Sequence, residues 1–359
     1  MTGVNQGRGA ELADTNMSPA MLPDVDPNAD LLDVRDLRVE FRTRDGVSEA
    51  VNGVSFTVQP GQTRAILGES GCGKSVTAQA IMGILDTPPA HITSGEVRYR
   101  GVDLLTMPEE ERRRIRGNHI AMIFQDALSA LNPLFTVGFQ IGEQFRKHLG
   151  MSRADAKRRA VELMDQVSIP AARQRVNDFP HQFSGGMRQR VMIAMSLALD
   201  PDVLIADEPT TALDVTVQAQ IMKLLGDLLR ERQMGLVLIT HDMGVVADLA
   251  DHISVMYAGR IVEEAPVHDI YARPAHPYTK ALLESIPRVD VRGQQLNVIK
   301  GLPPTLTRIP PGCAFNPRCR YAQPVCGQDP PPPSYDVQTD ADTGRTSACH
   351  FWREVVGGE

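Results

Sequence analysis

The 359-residue chain carries 37 Lys and Arg against 44 Asp and Glu, a net charge of −7, with 42% hydrophobic and 23% charged residues. That composition fits a globular protein with a full core, long enough for one large domain with an appendage or for two domains. It lacks the basic footprint of a nucleic-acid-binding protein, and no apolar run approaches the roughly 18–20 residues that span a bilayer.

Residues 1–30 have neither the basic start nor the apolar stretch of a secretory signal, so the expectation is a cytosolic chain that meets a membrane only through a partner. Residues 1 to about 28 are polar and small and read as a disordered leader. Leu31, Val34, Leu37, Val39 and Phe41 suggest short strands, and 51–58 (VNGVSFTV) is a second β-rich stretch closed by Pro60-Gly61. A short apolar strand at 63–67 (TRAIL) runs straight into a glycine-rich loop, and 76–85 then reads as a helix.

In the middle, 152–167 places Ala160, Leu163, Met164 and Val167 on one helical face, with a basic cluster elsewhere that is most simply a solvated face. Strand character returns at 203–206 (VLIA) and 236–240 (LVLIT), short buried-type runs between helices. Such alternation predicts an α/β core with a mostly parallel sheet. From about Pro274 prolines multiply and periodicity fades, which places a boundary there and predicts an irregular extension.

Residues 68–75 (GESGCGKS) fit the phosphate-loop pattern G-x-x-x-x-G-K-S/T, after a strand and before a helix as that motif requires. Gly68, Gly71 and Gly73 let successive N–H groups turn inward as an anion nest at a helix N-terminus. Lys74 supplies a point charge for phosphates, and the Ser75 hydroxyl is a ligand for Mg²⁺. The run 203–208 (VLIADE) is a strand ending in two acids. Alone it would be a strand leaving the core. Beside a phosphate loop, Asp207 is the expected second holder of Mg²⁺, and Glu208 is placed to polarise an attacking water.

A phosphate loop specifies only a nucleotide hydrolase; Phe183-Ser184-Gly185-Gly186-Met187 narrows it. This run resembles the signature loop of ABC-type ATPases, whose usual form is LSGGQ, with Phe183 and Met187 at the variable positions. Gln125 in IFQD, Asp214 in Ala212-Leu213-Asp214, and His241 in ITHD are similar to the family's Q-loop, D-loop and switch histidine. Phe41 stands where the family places an aromatic that stacks on adenine. Each element is weak singly, and Phe41 alone would pass for a core residue. Their order from Phe41 to His241 is what carries the resemblance.

The resemblance implies a P-loop ATPase core over 29–273, with a helical subdomain at about 126–195 carrying the signature. It implies ATP held by Phe41, Gly68, Ser70, Gly71, Cys72, Gly73, Lys74, Ser75 and Val76, and Mg²⁺ held by Ser75, Gln125 and Asp207. Glu208, His241 and Gln125 would serve catalysis. Ser184, Gly185, Gly186 and Met187 open a helix whose dipole faces an anion, in this family the γ-phosphate bound by another subunit. With one phosphate loop in the chain, the working unit would be a dimer that closes on ATP and reopens after hydrolysis.

Within the family, 276–283 (HPYTKALL), Gly301-Leu302-Pro303-Pro304 and 311–319 (PGCAFNPRC) resemble the C-terminal extension of oligopeptide, dipeptide and nickel importers, here 274–359. That implies two membrane permeases, an extracytoplasmic binding protein and a second ATPase subunit, with a paralogue favoured over a second copy. It also implies a peripheral site at the cytoplasmic face of the bacterial inner membrane, ATP hydrolysis driving peptide import, and no nucleic acid. An ABC-type ATPase without a transporter is the rival class. Only 58 residues separate Gln125 from Ser184, which leaves room for a small helical subdomain and not for the long insertions of that class.

Cys313, Cys319, Cys326 and Cys349 are spaced C-x5-C-x6-C-x22-C, which does not favour zinc. Importer subunits similar to this one imply a 4Fe–4S cluster on these four thiolates. A zinc site and four free thiols stay open as alternatives. Cys72, inside the phosphate loop, is not expected to be a ligand.

Overall fold

The structure, a computed structural model, describes residues 25–44, 46–211, 213–286, 299–337 and 344–357. Most of the expected leader (1–24) and Ala212 of the expected D-loop lie outside the described residues.

The chain opens with β1 (Leu32–Thr43), β2 (Gly46–Val58) and β3 (Thr63–Leu67), and then α1 (Lys74–Met82). Next come β4 (Ala90–Tyr99), β5 (Val102–Asp103), α2 (Glu109–Ile115) and β6 (Ile120–Ile123). A helical stretch follows: α3 (Ala127–Ala130), α4 (Val137–His148), α5 (Arg153–Gln166), α6 (Ala172–Arg175) and α7 (Gly185–Ser196). Strands and helices then alternate as β7 (Val203–Asp207), α8 (Val215–Arg232), β8 (Gly235–Thr240), α9 (Met243–Leu249) and β9 (His252–Tyr257). The remainder is β10 (Arg260–Pro266), α10 (Val267–Ala272), α11 (Pro277–Glu284), β11 (Tyr335–Asp336), β12 (Thr346–Ser347) and α12 (Trp352–Gly357).

Two sheets form. One is antiparallel, in the order β2-β1-β4-β5; the other runs β11-β12-β10-β9-β3-β8-β7-β6. In the larger sheet β9, β3, β8, β7 and β6 pair in parallel, while β9–β10, β10–β12 and β12–β11 pair antiparallel. The parallel sheet read from the sequence is therefore five of its eight strands, ending at the β6 edge. The antiparallel sheet, with β1 as one continuous strand where short ones were expected, went unread.

Side chains along a strand alternate between faces, and the central strands use both. Ala65 and Leu67 of β3, Leu204 and Ala206 of β7, and Leu236 and Leu238 of β8 enter a core shared with α4, α5, α7 and α8. Ile66, Val203, Ile205, Val237 and Ile239 enter a second core with α1 and the antiparallel sheet. A sheet buried on both faces reads in sequence as continuous apolar runs, as these do. Its strands end together at one edge, where Leu67 pairs with Thr240 and Asp207 with Ile239, and the loops beyond carry the polar residues.

The region after Pro274 is less irregular than its composition suggests. His276 caps α11 through its ring nitrogen, which accepts from the Tyr278 N–H. Strand β12 joins β10, with Glu263 opposite Ser347. Glu263 accepts from the backbone N–H groups of Ala275 and His276 and pairs with Arg345, both carboxylate and guanidinium being fully buried.

Candidate functional site

The glycine-rich loop leaves β3 in a conformation that side chains oppose. Gly71 and Gly73 have φ of +79° and +111°, in the left-handed region that favours glycine. A Cβ at Gly73 would stand 2.2 Å from the Ala50 carbonyl oxygen, so the loop lies directly against β2. Lys74, buried at the start of α1, donates to the Gly68 and Glu69 carbonyls at 2.7 and 3.0 Å. Its ammonium is thus folded back over the loop whose backbone forms the nest. Cys72 is buried beside it, its thiol pushed up by burial; Ser70 and Gly71 are exposed, and Val76 packs on the second core.

The two acids after β7 take different environments. The Ser75 hydroxyl donates to Asp207 Oδ1 at 3.0 Å. Burial pushes the Asp207 carboxyl up against that bond, and the neighbouring Glu208 charge adds to the rise. Glu208 turns out of the strand with φ +46°, held by its N–H donating to the Ile239 carbonyl at 2.8 Å. Its Oε2 accepts from Gln125 Nε2 at 3.0 Å and from the Thr211 hydroxyl at 2.8 Å, and its Oε1 lies 3.2 Å from His241 Nδ1. Burial works against ionisation here, but the bonds from Thr211 and His241 prevail and hold Glu208 below the ordinary carboxylate range. His241 itself is largely exposed.

The structure thus brings together Lys74, Ser75, Gln125, Asp207, Glu208 and His241 at one sheet edge, from the segments that follow four strands, β3, β6, β7 and β8. The donors suit Mg²⁺ and a polyphosphate: a hydroxyl and a carboxylate as hard oxygen ligands, an ammonium, and a glycine cradle too tight for side chains.

Other expected residues stand elsewhere. Ser184 caps α7, its hydroxyl accepting from the Met187 N–H at 3.4 Å. Gly186 lies against α8, where a Cβ would be 2.6 Å from the Val217 side chain. Asp214 caps α8 by accepting from the Val217 N–H at 2.9 Å. Among the described residues no hydrogen bond or ion pair joins 184–187 to the phosphate loop, and Ser184 and Gly185 are exposed. Phe41 is half-buried in β1, opposite Ser48 and Ala90.

Sequence reasoning missed Thr211, a second donor to Glu208 that sits three residues beyond it. It also missed Glu69, whose N–H donates to the Tyr278 hydroxyl at 2.8 Å and whose carboxylate pairs with Arg318 at 2.6 and 2.9 Å. Tyr278 and Arg318 were visible only as parts of the tail motifs.

The metal centre expected on Cys313, Cys319, Cys326 and Cys349 is not supported. Among the described residues no group of three or more His, Cys, Asp or Glu side chains is disposed to hold a metal ion. The thiols serve as small apolar groups: Cys313 and Cys319 pack on the main core, Cys349 in a cluster with Val337, Trp352 and Val355. The space that the four border is only about 10 Å³. Burial pushes Cys319 up to about 11 and Cys349 to about 12, as for thiols packed among apolar neighbours. With no metal-holding group among the described residues, the 4Fe–4S reading is withdrawn.

Comparison with known proteins agrees with the geometry. Residues 51–211 match the family model described as ABC transporter, and 262–326 match that of the oligopeptide/dipeptide transporter C-terminal region. The chain is 49% identical over 313 residues to the dipeptide transport ATP-binding protein DppD of Bacillus subtilis, covering 87% of this chain and 93% of that one. It is 49% identical over 319 residues to the oligopeptide transport ATP-binding protein OppD of Salmonella typhimurium, covering 89% and 93% respectively. Among solved structures, the bacterial ABC transporter cassette MJ0796, a dimer, superposes with a TM-score of 0.59 at 28% identity, over 66% of this chain and 98% of that one. The fold is that of the ABC ATPase cassette with mixed α/β sheets. The chain belongs to the ABC transporter ATP-binding proteins, in the branch that bears the oligopeptide/dipeptide transporter C-terminal region.

Proposed function

We propose that this chain binds and hydrolyses ATP to power the import of peptides through a membrane ABC transporter. The observation that carries this is the convergence of Ser75, Asp207, Gln125 and His241 on Glu208 and the phosphate loop. In this reading the loop N–H groups from Gly71 to Ser75 and the Lys74 ammonium bind the phosphates, and Phe41 stacks on the adenine. Ser75, Asp207 and the amide oxygen of Gln125 would hold Mg²⁺, which supplies charge neutralisation at the phosphates. Glu208, kept ionised by Thr211 and His241, takes a hydrogen bond from the attacking water and orients it in line. His241 donates to the developing charge on the transferred phosphoryl group.

Ser184, exposed at the start of α7, fits a role in trans: with Gly185, Gly186 and Met187 it would complete the site of a second ATPase subunit, a paralogue before a second copy. Asp214, adjoining that surface, would line the same dimer contact. The organisation proposed is a leader at 1–28, a nucleotide-binding domain at 29–273 with a helical subdomain at about 126–195, and an importer-type extension at 274–359. Among the described residues no helix is long and apolar enough to cross a membrane. The partners are two permeases and an extracytoplasmic binding protein, with the chain peripheral at the inner face of a bacterial membrane. The exposed Leu134, Phe135 and Phe139 near the start of α4 offer an apolar contact for a permease. Binding of a fluorescent ATP analogue, weakened in Lys74→Ala and kept in Glu208→Gln, tests the site; unchanged hydrolysis in Glu208→Gln would exclude Glu208 as the base.

A further inference from the structure

Two side chains from the region after Pro274 reach back to one residue of the phosphate loop. The Tyr278 hydroxyl accepts from the Glu69 N–H at 2.8 Å, across 209 positions of chain. Arg318 grips the Glu69 carboxylate with both arms, Nη1 to Oε2 at 2.6 Å and Nη2 to Oε1 at 2.9 Å, across 249 positions. Glu69 is the second residue of the loop, and its own carbonyl accepts from Lys74 Nζ at 3.0 Å. The residue whose carboxylate Arg318 holds therefore also bonds, through its backbone, the ammonium that the nest depends on.

Arg318 is built into place. Its side chain is 5% exposed, Nε donates to the Lys300 carbonyl at 3.1 Å, and Nη1 also reaches the Tyr257 hydroxyl at 3.2 Å. The guanidinium sits 5.9 Å from the ring centroids of both Tyr257 and Phe315. Those rings and Tyr278 pack on one another, with centroids 4.6 Å apart for Tyr257–Tyr278 and 5.3 Å for each pair with Phe315. Tyr257 ends β9, which pairs with β3, so the aromatic cluster is fixed to the strand from which the phosphate loop departs.

We propose that Arg318 and Tyr278 are positioning residues for the phosphate loop, acting through Glu69: Tyr278 fixes its first turn, and Arg318 cancels a carboxylate charge that would oppose the nucleotide's phosphates. The proposal rests on the ATP-site reading above and deepens it. Its logic is electrostatic. A bidentate guanidinium–carboxylate pair is among the strong charge-assisted interactions, and it neutralises the carboxylate while holding it in one orientation. Without Arg318, Glu69 presents a bare negative charge beside a site built for a polyanion, where a repulsion of like charges is only partly screened. Tyr278 does a separate task, taking up the first N–H after Gly68 so that the loop's later N–H groups are the ones left for phosphate.

The experiment is a double-mutant cycle on the full chain, read by titration with a fluorescent trinitrophenyl-ATP analogue and Mg²⁺. Arg318→Ala should weaken binding about tenfold, equivalent to about 1.4 kcal/mol, and Arg318→Lys should recover part of it. Glu69→Gln alone, and the pair Arg318→Ala with Glu69→Gln, should both bind within about twofold of the unmodified chain, because the charge to be cancelled is gone. In the assembled transporter, Arg318→Ala should raise KM for ATP and leave kcat near its starting value. Tyr278→Phe, which keeps the ring and removes only the acceptor, should weaken binding by a few fold. Arg318→Ala binding like the unmodified chain would overturn the proposal, as would a double variant as weak as Arg318→Ala, which would mark a purely structural role. The control is Lys74→Ala. If it binds as well as the unmodified chain, the ATP-site reading fails and this proposal falls with it; if it binds weakly while Arg318→Ala binds fully, only this proposal falls.

Discussion

The Ser75 hydroxyl donates to Asp207 at 3.0 Å, joining the first turn of α1 to the end of β7 across 132 positions of chain. This bond aligns two hard oxygen donors at one point of the sheet edge, and Glu208 follows Asp207 directly. On the proposed reading, holding a cation and activating a water fall to adjacent residues, whose carboxyls are shifted in opposite directions by their surroundings.

Glu208→Gln should preserve nucleotide binding and slow hydrolysis by about 10²–10⁴-fold, the usual contribution of a positioned base. Gln can still accept from Thr211, so the loop should keep its shape. Single-turnover hydrolysis checks this, since it separates chemistry from binding.

Lys74→Ala should act on the other quantity. The ammonium makes charge-assisted hydrogen bonds, each worth about 1.5–3 kcal/mol, so affinity should fall by about ten- to a hundred-fold. Equilibrium titration with the fluorescent analogue measures it. The variant also loses the two bonds to Gly68 and Glu69 that fold the loop over, and these add to the loss.

Ser184→Arg separates cis from trans. Ser184 is exposed and has no bond to its own phosphate loop, so this chain's nucleotide affinity should stay within about twofold, while hydrolysis at the partner's site falls at least about tenfold. A mixed dimer with one altered subunit gives both values. Loss of binding in cis alone would contradict the shared site.

The pH dependence centres on His276. Burial pushes its imidazole down to about 3, and its ring nitrogen caps α11 by accepting from the Tyr278 N–H. Its value in the folded state is below that of the unfolded chain, about 6.5. The neutral ring therefore contributes stability that is fully present above about pH 6.5 and is lost as pH falls below it, by up to about 1.4 kcal/mol per unit. His276→Asn keeps an acceptor for the cap and should remove that part of the slope. Urea melts of both proteins between about pH 7.5 and 5 check the difference.

Much of the site was legible because its signals are local. The phosphate loop, the strand ending in Asp207 and Glu208, and the capping serine of α7 are each set by residues within a few positions. The contacts that tie the tail to the loop were not legible. Nothing within HPYT or around Arg318 encodes that they meet Glu69, because that depends on β9 and β10 carrying the tail back to β3. The four cysteines misled for the same reason: their spacing invited a cluster, but whether thiols converge as thiolates or pack as apolar groups is decided by burial in three dimensions. Strand β12 was hidden as well, since two residues carry no periodicity to read.

The central claim is that hydrolysis at this site drives peptide import. The most direct measurement is uptake of a labelled peptide into proteoliposomes holding the complete transporter, with ATP inside reach of this subunit, followed alongside phosphate release. The unmodified complex should accumulate peptide and release phosphate together, and the complex with Glu208→Gln should bind ATP yet do neither. Peptide uptake that persists at full rate in the Glu208→Gln complex, or phosphate release that persists without Glu208, would contradict the account.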